Sequence, residues 1–151
     1  MTLDEHLGVG RTITLGSHRF GAEEIKAFAR KFDPQPFHMD EKSAENSVFG
    51  GLCASGWHTA SMWMRYNVMV RSARDGSGAE PEFGPSPGFR DLKWLKPVYA
   101  DETITFKRTV LGHRPLASRP GWRLMSVRAE AFDSTGDKVI EFESVVLVKA
   151  G

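Results

Sequence analysis

A single cysteine, Cys53, stands among 151 residues. That excludes an intramolecular disulfide and fits a reducing, cytoplasmic setting. Charge of one sign is equally lacking: 20 Lys and Arg face 19 Asp and Glu, for a formal net charge of +1. No nucleic acid or other polyanion is expected as a partner. Long hydrophobic runs are missing as well. The longest apolar stretch, Gly56 to Val70, is broken by His58, Arg65 and Asn67, too short and too polar to span a bilayer. Met1 to Gly10 carries Asp4, Glu5 and His6 and has no apolar centre, so no secretory signal is expected there. His6, His18 and His113 are scattered without metal-ligand spacing, and no metal or redox cofactor is implied. What remains is ordinary for a folded protein, 40% hydrophobic and 26% charged. The whole chain, 1–151, reads as one domain large enough to bury a core.

The apolar residues that are present fall into two periods. Arg11 to Leu15 alternates, with Ile13 and Leu15 on one face, and reads as a strand. Ala22 to Phe32 places Ile25, Phe28, Ala29 and Phe32 at helical spacing. Glu23 and Glu24 open it and Arg30 and Lys31 close it, as the helix dipole favours. Asp40 can cap a short helix running to Asn46. Gly56 to Arg74 is the principal helix, apolar on nearly every side, and such a helix is expected to be enclosed by the rest of the fold. Asp75 to Gly88, with Pro81, Pro85 and Pro87, reads as a long loop. Four strands follow: Phe89 to Leu95, Thr103 to Val110, Trp122 to Phe132 and Val139 to Val148. Ser134-Thr135-Gly136-Asp137 turns between the last two. Short connections favour antiparallel pairing. The economical arrangement is an α+β fold in which a curved antiparallel sheet wraps one long helix. Such a sheet leaves an edge and part of the helix uncovered, and a twofold dimer is the expected remedy.

Chemistry concentrates in Asp33-Pro34-Gln35-Pro36-Phe37-His38-Met39-Asp40. Two prolines keep this segment from forming a regular helix. A short stiff loop can aim the Asp33 carboxylate and the His38 imidazole at one water molecule, which suits general acid–base chemistry. Cys53 lies among small and apolar residues and reads as a buried, inert thiol. His58 reads as a packing or surface residue. Trp57, Trp63 and the methionines read as core or as pocket lining.

The motif, followed at the expected distance by Phe49-Gly50-Gly51, Ser55-Gly56 and Lys96-Pro97-Val98 with Asp101-Glu102, resembles the MaoC-type hydratase/dehydratase family of the hotdog fold, which includes the R-specific enoyl-CoA hydratases. The resemblance runs from about Phe20 to Val148. It implies that Asp33 and His38 hold a water for addition across a trans-2-enoyl thioester, or for the reverse dehydration of a 3-hydroxyacyl thioester. It also implies that the backbone N–H of Gly56, at the helix start, receives the enolate oxygen. Coenzyme A then enters as part of the substrate, with an acyl-carrier-protein thioester as the alternative. Three departures stand out: Gln35 replaces the usual Asn, Ser55 stands where many relatives have His, and Met64 occupies the place of a water-binding serine. Met64 cannot make that hydrogen bond, which argues against a short crotonyl-type substrate. Met64 and Trp57 are the candidate acyl-pocket residues. Two basic clusters compete for the coenzyme A phosphates: Arg90, Lys93 and Lys96 on a strand, and the hairpin loop from Gly112-His113-Arg114 to Arg119-Pro120-Gly121. The fold also hosts thioesterases, many of which use a helix carboxylate. Trp57 to Arg74 contains none, which counts against that reading. A non-catalytic acyl-CoA-binding subunit would need no Asp33/His38 pair.

Overall fold

The sheet follows from alternation, and its three longest strands turn their apolar sets toward one helix. The computed structural model of the chain describes residues 2–72 and 81–149. In chain order the elements are α1 (Leu3–Leu7), β1 (Thr12–Arg19), α2 (Ala22–Phe32), α3 (Pro36–Met39), α4 (Glu41–Glu45), α5 (Gly56–Ser72), β2 (Glu82–Phe83), β3 (Gly88–Trp94), β4 (Thr103–Pro115), β5 (Trp122–Phe132) and β6 (Lys138–Lys149). All pairings are antiparallel, in the order β1-β4-β5-β6, with β2 and β3 both on the far edge of β6. Ile104, Phe106 and Val110 of β4, Met125, Val127, Ala129 and Ala131 of β5, and Ile140, Phe142 and Val148 of β6 are buried. They pack, with Trp63 of α5, into one core. Trp63 also donates its indole N–H to the Lys107 carbonyl at 2.9 Å, tying helix to sheet. The result is the curled antiparallel sheet of the hotdog fold, α+β in class, curved around α5.

The helix boundaries have local causes. The α2 helix has Ile25 and Ala29 buried and closes where the Asp33 N–H bonds to the Ala29 carbonyl at 2.9 Å. Pro34 cannot continue it. The reading of 33–40 as non-helical is corrected in part. Pro36 opens the single turn of α3 at a position where its missing N–H costs nothing. Asp40 caps α4 as expected, its carboxylate accepting from the Ser43 N–H and hydroxyl, both at 2.8 Å. The β1 strand runs four residues beyond the expected Leu15, through a bulge at Gly16 that admits the Tyr66 ring. The expected 75–88 loop lies partly outside the described residues; within 81–88, Glu82–Phe83 instead pairs with β6.

The part of the principal helix expected to stay uncovered is visible on α5. Trp63, Met62, His58, Thr59 and Asn67 are buried, but Trp57, Met64, Val68 and Met69 lie between 38% and 52% exposed. The helix is therefore enclosed on one side only. Its open face neighbours the outer edge of β3, where Phe89 and Trp94, with the following Leu95, are also exposed.

Candidate active site

Three elements bring the chemistry together. Asp33 caps the end of α2, His38 rides on α3, and Gly56 begins α5. The segment before α5 is fixed by backbone bonds to the Pro97-Val98 turn: Ala54 N–H to Val98 O at 2.8 Å and Ala100 N–H to Leu52 O at 3.0 Å. That turn is itself anchored by Lys96, whose Nζ donates to Asp133 at 2.7 Å and Asp137 at 2.8 Å on the β5–β6 hairpin. The Lys96 ammonium holds the buried Asp133 carboxyl well below the usual carboxylate range.

The Asp33 and His38 side chains face each other, with His38 Nε2 3.5 Å from Asp33 Oδ2. The imidazole tautomer follows from its other nitrogen. Nδ1 lies 2.7 Å from the Cys53 carbonyl, which can only accept, so Nδ1 carries the proton. In the neutral ring, Nε2 then presents its lone pair toward Asp33 and the cavity. Asp33 is held at both oxygens: Gln35 Nε2 donates to Oδ1 at 2.6 Å and Ser55 Oγ to Oδ2 at 2.7 Å. Burial pushes the Asp33 pKa up, but these two hydrogen bonds and the His38 charge outweigh it, and the net shift is downward. Asp33 is thus an anion that orients; His38 offers the Nε2 lone pair. His38 is buried.

A cavity of about 340 Å³ opens before the pair, lined also by Phe37, Phe49, Gly56, Trp57 and Trp94. Among the described residues the Gly56 N–H donates no hydrogen bond, as expected at a helix start, where such groups favour anions. The need for glycine has a cause the sequence did not reveal. A Cβ at position 56 would lie 2.3 Å from both Cε2 and Nε1 of Trp94. The indole, rather than substrate alone, occupies that space.

The remaining candidates are dispersed. Trp57 lines the cavity, at right angles to Trp94 with ring centroids 4.9 Å apart. Met64 lies beyond this cavity, lining a neighbouring apolar groove with Trp57, Phe89 and Phe142. Lys96 borders the cavity with its charge engaged by the two aspartates. Lys93 is exposed and sits opposite Glu141. Arg90 is paired with Glu143 at 2.8 Å, yet it shares a cleft on the outer sheet face with Arg114, which lies on β4 paired with Leu124 and not in a hairpin loop as expected. One residue from each competing basic cluster therefore meets there. Cys53 is buried, and burial pushes its thiol up to about 11, an inert group. His58 is buried, stacked on Phe28 and 3.1 Å from Glu24, and so braces α5 against α2. No cluster of three metal-ligating side chains occurs among the described residues, and none of their helices is long and apolar enough to cross a membrane.

Sequence reasoning did not identify Ser55 as the partner of Asp33, nor Phe37, Phe49 and Trp94 as cavity walls. Adjacency to Gly56 was a signal for Ser55. Trp94 gave none, because only the return of β3 past the start of α5 brings it there.

Fold and cavity together define a hotdog domain with an Asp/His pair facing a helix start. Residues 3–121 match the MaoC like domain family, and the chain belongs to that family. It is similar to the MaoC-like dehydratase from Rhodospirillum rubrum, with 34% identity, coverage of 100% of this chain and 98% of that one, and a TM-score of 0.82. The (R)-hydratase from A. caviae involved in PHA biosynthesis shares 24% identity over 95% of this chain and 96% of its own, at a TM-score of 0.67, a likeness of fold. The uncharacterized protein YdeM of Bacillus subtilis (strain 168) is 29% identical over 149 residues, 99% of each chain. The family is one of hydratases and dehydratases.

Proposed function

We propose that this protein interconverts a trans-2-enoyl thioester and a 3-hydroxyacyl thioester, with coenzyme A as the carrier and no further cofactor. The observation that supports this most is the 3.5 Å approach of His38 Nε2 to Asp33 Oδ2 at a cavity shared with Gly56. A water placed there donates one hydrogen to Asp33 and one to Nε2. Its oxygen bonds to the β carbon while its proton passes to Nε2. The π pair moves toward the thioester, and the enolate oxygen takes the Gly56 N–H. The imidazolium, stabilised by Asp33, returns that proton to the α carbon. The elements of one water are added, and the reverse sequence removes them. Thioester hydrolysis by a helix carboxylate has no candidate, since α5 carries no Asp or Glu.

The test is a panel of enoyl- and 3-hydroxyacyl-CoA thioesters, followed by ultraviolet absorbance of the conjugated double bond with free thiol assayed in parallel. Loss of that absorbance without thiol release is the expected result. Thiol release, or no change with any thioester, overturns the reading.

The active form we propose is a homodimer in the cytoplasm. The outer edge of β3 and the open face of α5 form a contiguous apolar surface with Phe89 58% and Met69 52% exposed. Pairing that edge with a second copy removes both liabilities. Sedimentation equilibrium should return twice the 16.8 kDa of one chain; a monomer at micromolar concentration rules the dimer out.

A further inference from the structure

Resting on that reading, we infer that Trp94 is a further catalytic residue: its indole N–H is a second hydrogen-bond donor to the thioester oxygen, beside the Gly56 amide. The placement is specific. Nε1 is one of the two Trp94 atoms 2.3 Å from the point a Cβ on Gly56 would occupy. The indole therefore lies against the Cα side of Gly56. The amide N–H at a helix start is directed off the end of the axis, so the ring flanks it without capping it. Both groups line the same cavity as Asp33 and His38.

Trp63 and Trp94 contrast. Trp63 is 1% exposed and its N–H is satisfied by the Lys107 carbonyl. Trp94 is 46% exposed, and among the described residues its N–H has no protein acceptor. In the open cavity water serves it. A bound acyl thioester expels that water, and an indole N–H left without an acceptor is costly. The acceptor that substrate brings to Gly56 is the thioester oxygen, whose charge grows as the enolate forms. A donor at that point is stronger in the transition state than in the ground state, and so raises the rate more than the affinity.

The backbone supports this position. Between Arg90 and Lys93 the β3–β6 register slips, with Asp91 at φ 55°. Pairing resumes at Lys93↔Glu141 and Trp94↔Ile140, so Trp94 sits just past the irregularity. Trp57, at right angles against the ring, restricts its swing on one side.

The experiment compares wild type with Trp94→Phe in the intact protein, using the best enoyl-CoA from the panel. Phe keeps an aromatic ring and loses only the donor. The expected result is a loss of about tenfold or more in kcat, toward the ~10²–10³-fold typical for one oxyanion donor, with little change in KM. Packing alone predicts unchanged kcat, and that outcome overturns the role of Trp94 while leaving hydration intact. Absence of hydration by wild type overturns the underlying reading, and this inference with it. Should Trp94→Phe not fold, wild type labelled with ¹⁵N-tryptophan decides. Adding the saturated acyl-CoA of the same chain length as the best enoyl-CoA, which has no double bond to hydrate, should move the indole N–H signal showing an NOE to Gly56 downfield. No movement at saturating concentrations of that acyl-CoA overturns the proposal.

Discussion

Asp33→Asn is expected to reduce kcat for hydration by about 10²–10⁴-fold, the range for a lost acid–base group, with the fold retained. The amide cannot hold the water as the carboxylate does. It must also turn its NH₂ toward Gln35 Nε2 or Ser55 Oγ, which donate to the two carboxylate oxygens at 2.6 and 2.7 Å. His38→Asn should cause a comparable loss for a different reason. An Asn at 38 can keep a donor near the Nδ1 position for the Cys53 carbonyl, now bonded at 2.7 Å, while removing Nε2. His38→Ala is the poorer variant, because it leaves a buried carbonyl unsatisfied. Steady-state kinetics beside thermal melts check both; near-wild-type kcat in either removes that residue from the chemistry.

The same carboxylate gives a pH signature. Against the opposing effect of burial, the folded pKa of Asp33 is shifted below its value in the unfolded chain, chiefly by the hydrogen bonds from Gln35 and Ser55. A group depressed on folding contributes stability above its unfolded pKa and loses it as pH falls through the folded one. Between those two values the wild-type Tm should decline more steeply than that of Asp33→Asn. Parallel Tm curves in that window rule out the coupling.

Much of this was legible in the chain because it depends on local chemistry. Ala22 to Phe32 carries its own period and its own charges at both ends, and the helix spans those residues. Trp122 to Phe132 alternates cleanly and is a strand over that span. Asp33 and His38 converge because Pro34 and Pro36 define one short connection between α2 and α3. What the sequence withheld is long-range. That part of α5 stays open follows from a one-helix sheet, but which face it is could not be told, since Met64, Val68 and Met69 are as apolar as Met62 and Trp63. Burial on one side is decided by where β3 stops covering the helix. Nor could composition show that Lys96 is held by Asp133 and Asp137, residues 37 and 41 positions away. A lysine near a motif looks like a phosphate ligand until the hairpin that engages it is folded.

Gly56→Ala should have the second large effect, and it separates two roles of that position. The added methyl meets Trp94 at 2.3 Å at Cε2 and Nε1 and 2.7 Å at Cδ2, so one of the two must move. Trp94 is half-exposed near the end of an edge strand, and its ring is the part that can yield. Overpacking of this kind costs roughly 1–3 kcal/mol, and a half-exposed ring that can turn aside keeps the cost at the low end. The Tm should therefore fall only modestly. Activity should fall by ~10²-fold or more, because the displaced indole enters the cavity or leaves the amide's side, and the methyl crowds the thioester. The double variant Gly56→Ala/Trp94→Ala decides between these causes. Removing the indole relieves the clash, so the lost Tm should return. If kcat then matches that of Trp94→Ala alone, the methyl acted only through the indole. If kcat stays lower, the methyl itself bars the thioester from the amide, and glycine at the head of α5 serves substrate as well as packing.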